Sequence, residues 1–221
     1  MSEENYKYAQ FSEILNRVVS RLKGFDKQVG EAEILEWCMT VENEFCPNVD
    51  NMYIYTGVPL KVLNSTAKLP CNVFRIADIY DSNGGMHGHR IPFNDLGKVV
   101  TFLPHDNVRT AHIDYWGTPF DLETGEPLIQ RGHELACEWY CVYNALLSDA
   151  GTGKITGDFW RGTIVANKEN EILAAQSSSV HFKTRGEMNQ ENRITFDELP
   201  EVAKLWLLRD EVRNRVTHTV P

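Results

Sequence analysis

The residues that most invite a chemical reading are His133 and Cys137, four apart in His133-Glu134-Leu135-Ala136-Cys137. Zinc proteases place two histidines at this spacing on one helical face, with the intervening glutamate as general base. Cysteine stands here at the second position, and no third ligand follows at close spacing. The same residues also read as a helix start: Glu134 in the first turn, favoured by the helix dipole, with Cys137 turned into the core. A metal-dependent hydrolase would have to recruit His133, Cys137 and histidines from the β-rich middle of the chain, where His87, His89, His105 and His112 fall; His181 lies further on.

Other chemistry-bearing patterns do not close. Gly151-Thr152-Gly153-Lys154 looks like the end of a phosphate loop. The positions that should hold the leading glycine and the hydroxyl after the lysine are Ser148 and Ile155, and the stretch follows a helix rather than a strand. There is no GxSxG elbow and no dinucleotide fingerprint. Five cysteines (Cys38, Cys46, Cys71, Cys137 and Cys141) form no CxxC pair, and they read as reduced thiols in the core. The expectation is a protein that is not an enzyme, with no catalytic residue, cofactor or metal.

The elements that must position these residues follow from periodicity. A helix is expected from about Tyr8 to Lys23, with Phe11, Ile14, Leu15, Val18, Val19 and Leu22 as its apolar stripe. A second runs from Glu31 to Phe45 on Ile34, Leu35, Cys38, Val41 and Phe45, and Pro47 stops it. Residues 52–115 are rich in Val, Ile, Tyr and Phe. They predict short strands at 52–55, 60–63, 73–80, 99–102 and 111–115, with a turn at Asn83-Gly84-Gly85. Helix returns over Glu134–Asp149 and from Asp158 to about Ser179, the latter with a thin apolar stripe; a short helix begins at Asp197. The fold class expected is α+β. The N- and C-terminal segments form a helical body, and a small antiparallel β domain is inserted between them. The divisions are 1–50 (N-terminal helices), 51–127 (β-rich insertion), 128–209 (C-terminal helices) and 210–221 (polar tail).

The chain has 221 residues, 22 basic and 31 acidic, for a net charge of −9. That balance disfavours tight general binding to a phosphate backbone. No apolar run is long enough to cross a membrane, and Met1-Ser2-Glu3-Glu4-Asn5 lacks the apolar stretch of a signal peptide. A concave ligand- or glycan-binding β domain is a third reading, with Tyr53 and Tyr55 as exposed aromatics.

The stretch Ile113-Asp-Tyr-Trp-Gly117-Thr-Pro119-Phe-Asp121-Leu-Glu-Thr-Gly125-Glu-Pro127-Leu-Ile129 is distinctive, as is the aromatic helix after it with Trp139, Tyr140 and Tyr143. It resembles a segment of virion proteins from short-tailed, crAss-like bacteriophages. The layout of terminal helices around a β insertion is similar to head-to-tail adaptor, or ring, proteins. The resemblance implies a structural subunit of a homo-oligomeric ring, twelvefold in such assemblies, that joins the portal to the next tail ring or nozzle protein. DNA would pass through without specific binding, and no membrane would be involved. The location implied is the connector of the virion, after synthesis in the host cytoplasm. On this reading the helix from Asp158 to Ser179 is either a close-packed subunit contact or an exposed helix. The tail residues Val212, Val216 and Val220, four apart, would add a strand to a neighbouring ring protein.

Overall fold

The computed structural model describes residues 7–47, 52–81, 89–103, 108, 110–178 and 193–208. In chain order the elements are β1 (Tyr8–Gln10), α1 (Phe11–Lys23), α2 (Glu31–Thr40) with a π-helical turn Val41–Phe45, β2 (Tyr53–Leu63), β3 (Thr66–Lys68), β4 (Val73–Tyr80), β5 (Phe93–Asp95), β6 (Val99–Phe102), β7 (Thr110–Gly117), β8 (Leu128–Gln130) and α3 (Glu134–Gly151). A helical run follows: Gly157–Phe159, a π-helical stretch Trp160–Val165, and α4 (Ala166–Ser178). Last come β9 (Arg193–Thr195), a 3-10 turn Phe196–Glu198 and α5 (Glu201–Leu207). These fall into two units, Met1–Asp50 with Glu126–Phe182 and Asn51–Gly125 with Lys183–Pro221.

The first unit is helical. Phe11, Ile14, Val18 and Leu22 are buried along α1, at the three- and four-residue steps that bring side chains onto one helical face. Burying each such side chain contributes about 1.5–3 kcal/mol. Ile34, Leu35, Cys38 and Met39 do the same for α2, and Ala136, Cys137, Cys141, Val142 and Leu146 for α3. Residues 8–10 are strand rather than the first turn of α1, because they pair antiparallel with β8, Tyr8 opposite Gln130 and Gln10 opposite Leu128. The Phe11 amide then donates to the Pro127 carbonyl at 3.0 Å, and the Arg131 amide to that of Lys7 at 2.8 Å. That ladder ties the start of α1 to the segment that launches α3.

The second unit corrects the expected fold. The β region is not a small insertion in a helical body. Among the described residues it is a seven-stranded sheet in the order β4-β7-β2-β3-β6-β5, with β9 added parallel to β2. The sheet nearly closes on itself: Tyr80 bridges Arg90, and the Ile91 amide donates to the Ile79 carbonyl at 2.9 Å. Curling a sheet into a barrel removes the unpaired edges that flat sheets expose. Strand β7 shows the alternation this demands, with Ala111, Ile113 and Tyr115 buried inside and His112, Asp114 and Trp116 on the other face.

Two physical facts made the sheet look smaller in sequence. Gly57 and Pro59 divided 52–63 into two apparent strands, but β2 runs through them. Gly57 takes a left-handed φ of +72° in a bulge between Tyr55 and Val58, and Pro59 pairs with His112. The C-terminal segment also belongs to this unit, not to a helical body. Ile194, Leu199, Ala203 and Leu207 lie in the same core as Tyr55, Val58, Ile79, Val100 and Ile113.

The conspicuous Ile113–Ile129 stretch has a clear role in this packing. Tyr115 donates to the Asn72 side-chain oxygen at 2.9 Å. The Asn72 amide and the Tyr55 hydroxyl both donate to the Thr118 carbonyl, at 2.8 and 2.9 Å. The Tyr55 and Tyr115 rings stack at 5.1 Å. Gly117 is needed because a Cβ there would collide with the Asn72 carbonyl oxygen. Asp121 caps the next turn, its carboxylate accepting from the Glu123 and Thr124 amides at 2.8 and 3.2 Å.

Candidate functional site

The residues singled out for chemistry lie on a polar seam inside the helical unit. On α3 and its N-cap residue, His133, Cys137 and Cys141 share one face at four-residue steps. On α2 and its π-helical turn, Ile34, Cys38 and Glu42 do likewise. The two stripes meet antiparallel. His133 Nδ1 lies 2.8 Å from Glu42 Oε1, with the two side chains 0% and 4% exposed. Cys137 Sγ faces the Cys38 carbonyl at 3.9 Å, Cys141 Sγ faces that of Ile34 at 3.7 Å, and the Cys38 and Cys141 sulfurs are 3.8 Å apart.

Electrostatics along the seam follow from burial and neighbours. Desolvation pushes the Glu42 carboxyl above its usual range, and the His133 hydrogen bond offsets only part of that. Donation from Cys137, then Cys141, draws the Cys38 thiol down, against the burial that opposes its ionisation. Burial pushes Cys137 and Cys141 well up. Cys46, further along, is pushed up to about 12 by burial and by the Glu42 charge.

Both His133 and Cys137 lie in the core of the helical unit. The histidine is engaged by Glu42 and the cysteine by a helix carbonyl, both within a packed core. Among the described residues no group of three or more His, Cys, Asp or Glu side chains is arranged to hold a metal ion. His112 sits in the β unit, its ring stacked on Tyr80 at 5.8 Å. His87, His105 and His181 lie outside the described residues. Sequence reasoning placed Cys38 on a buried stripe and missed Glu42; the signal was the repeated four-residue step, 38–42 on one helix and 133–137–141 on the other.

A second polar cluster lies on the face of the sheet opposite the core. Asp78 and Asp114 are direct partners across β4 and β7. Asp114 Oδ1 accepts from the Gly57 amide at 2.9 Å and from the Tyr80 hydroxyl at 3.2 Å. Asp78 accepts from Arg90 Nε at 2.7 Å. Burial, then the Asp114 charge, pushes the Tyr80 phenol up to about 12. The cluster is explained by the bulge: Asp114 satisfies the Gly57 amide that the irregular pairing leaves out of the ladder. The glycan-binding reading loses one of its two aromatics here, since Tyr55 is wholly buried in the core.

The last helical run of the first unit is largely exposed. Over residues 157–177 only Ile164 and Ala175 are buried, and Leu173 is 63% exposed. The run is held to α3 at intervals: Trp160 stacks on Tyr143 at 5.1 Å, and the Lys168 ammonium lies 4.2 Å over the same Tyr143 ring. Val212, Val216 and Val220 lie outside the described residues. No helix of the described residues is long and apolar enough to cross a membrane. No protein-family model matches this sequence, and no curated protein matches it.

Proposed function

We propose that this chain is a structural virion subunit, an adaptor that forms a homo-oligomeric ring between the portal and the next tail component and surrounds the DNA exit path. Its work is assembly rather than bond-making. The observation that carries the reading is the helical run over residues 157–177. It is fixed to its own unit by Ile164, Ala175 and the Tyr143 ring, and it leaves Leu173, Ala174, Gln176 and Ser177 exposed. Small residues beside one large apolar group permit close approach of a second copy, and a head-to-tail contact that closes by rotation gives a ring. The net charge of −9 supports a channel wall along which DNA slides without adhering, since like charges repel within a Debye length of about 8 Å.

Light scattering and negative-stain electron images of the full chain, alone and with its portal, test the proposal. The unaltered chain should give closed rings in at least one of the two samples. Leu173→Glu should abolish them with little effect on the melting temperature, because that side chain is already exposed. A chain that stays monomeric in both samples overturns the reading, as do rings indifferent to Leu173→Glu.

A further inference from the structure

The helical unit holds three cysteine thiols where the packing needs only small apolar side chains. Cys38, Cys137 and Cys141 are each fully buried, on two helices held together by the flanking core. The Cys38 and Cys141 sulfurs are in van der Waals contact at 3.8 Å. The Cys137 sulfur is directed instead at the Cys38 carbonyl, at 3.9 Å. Cys46 faces the Ile172 carbonyl at 3.8 Å, and Cys71 belongs to the other unit, facing the Trp206 carbonyl at 3.6 Å.

We propose that Cys38 and Cys141 are an oxidation site, at which a peroxide converts the two thiols to a disulfide that ties α2 to α3. The inference stands independently of the connector reading. Shortening the sulfur separation from 3.8 Å to the bonded distance of about 2.05 Å requires side-chain rotation together with movement of the helices. The Cys38 sulfur attacks one oxygen of hydrogen peroxide; the O–O bond breaks, and the departing hydroxide leaves as water with the Cys38 proton. The resulting sulfenic sulfur is attacked by Cys141. Its S–O bond breaks, and the hydroxide leaves as a second water with the Cys141 proton. Two thiols lose two electrons and two protons, and one peroxide becomes two waters. The roles of the two sulfurs are interchangeable, because each faces the other at 3.8 Å and the product is the same disulfide. Burial makes the reaction depend on small openings of the helical unit, so it should be slow beside that of an exposed thiol.

The test exposes the full chain to hydrogen peroxide under native conditions, alkylates the remaining thiols and maps the digest by mass spectrometry. The expected product is a Cys38–Cys141 cross-link two hydrogens lighter than the reduced pair, with Cys46, Cys71 and Cys137 alkylated. The oxidised chain should melt several degrees higher, and dithiothreitol should restore the original value. Cys137→Ser should still form the link and Cys38→Ser should not. In concentrated urea the same treatment should scatter the pairings. Alkylated Cys38 and Cys141 in the peroxide-treated native chain would overturn the proposal. So would a dominant link through any other cysteine, or the same selectivity in urea. Mapping of the unaltered chain decides the matter by itself if a serine variant fails to fold.

Discussion

Replacing Gly125 by alanine should destabilise the β unit by about 2–5 kcal/mol, whereas the same change at Gly97 should cost about 1–2 kcal/mol. Both glycines hold left-handed backbone, φ +74° at Gly125 and +86° at Gly97. That conformation costs a residue bearing a Cβ about 1–2 kcal/mol. Only Gly125 adds a collision: a Cβ there would stand 2.8 Å from Val202 Cβ, 2.9 Å from the Ala203 nitrogen and 3.3 Å from Pro200 Cβ, where Gly97 has nothing within 4 Å. Overpacking of that kind costs about 1–3 kcal/mol. The entropy that alanine removes from the unfolded chain is the same in both variants and cancels in their difference. Because the chain has two units, a single unfolding curve is not a safe measure. Pulsed hydrogen exchange across a urea series, read on peptides from residues 53–80 and 193–208, reports the β unit directly. If the two variants agree within about 0.5 kcal/mol, the turn at Gly125 does not pack on α5 as described.

Asn72→Ala should cost about 1–3 kcal/mol in the same assay, since it strips the Tyr115 hydroxyl and the Thr118 carbonyl of a buried partner. Arg21→Ala should destabilise the helical unit by about 1.5–3 kcal/mol, because Arg21 neutralises Glu138, only 4% exposed, and lies 4.2 Å over the Trp139 ring; urea unfolding read on α3 peptides checks it. Glu42→Gln should help more at pH 7.5 than at pH 4.5. Burial raises the Glu42 pKa in the folded chain, so the stability linked to its proton is complete below the unfolded value near 4.5 and is lost as pH rises through the folded value. Glutamine carries no such loss, and a variant-minus-native melting difference that falls with rising pH would refute the sign.

Helices α1, α2 and α3 were largely legible because each buries one stripe against its own unit: the steps through Phe11, Ile14, Val18 and Leu22 name a buried face whatever lies opposite. Strands with strong alternation, such as β7, were legible for the same reason. Other elements had no local signature. Strands β1 and β8 are three residues each and pair with one another across more than a hundred residues, and the three-residue β3 pairs with the distant β6 as well as with its neighbour β2. Gly57 and Pro59 look like breaks, and only the Asp114 carboxylate and the partner strand β7 make them a bulge within one long strand.

By itself, then, the amino-acid order determined which faces are apolar and where most of the helices lie, with starts that shift by a few residues, as Tyr8 to Phe11 and Asp197 to Glu201 show. Tertiary structure alone decided that the β region wraps into a near-barrel, that residues 193–207 complete its core, and that Cys38 meets Cys141 and Glu42 meets His133 across 103 and 91 residues of chain. The physical reason is range. Periodicity records what a residue does within its own turn or strand, while pairing, closure and a buried hydrogen bond depend on which distant surface arrives to complete them.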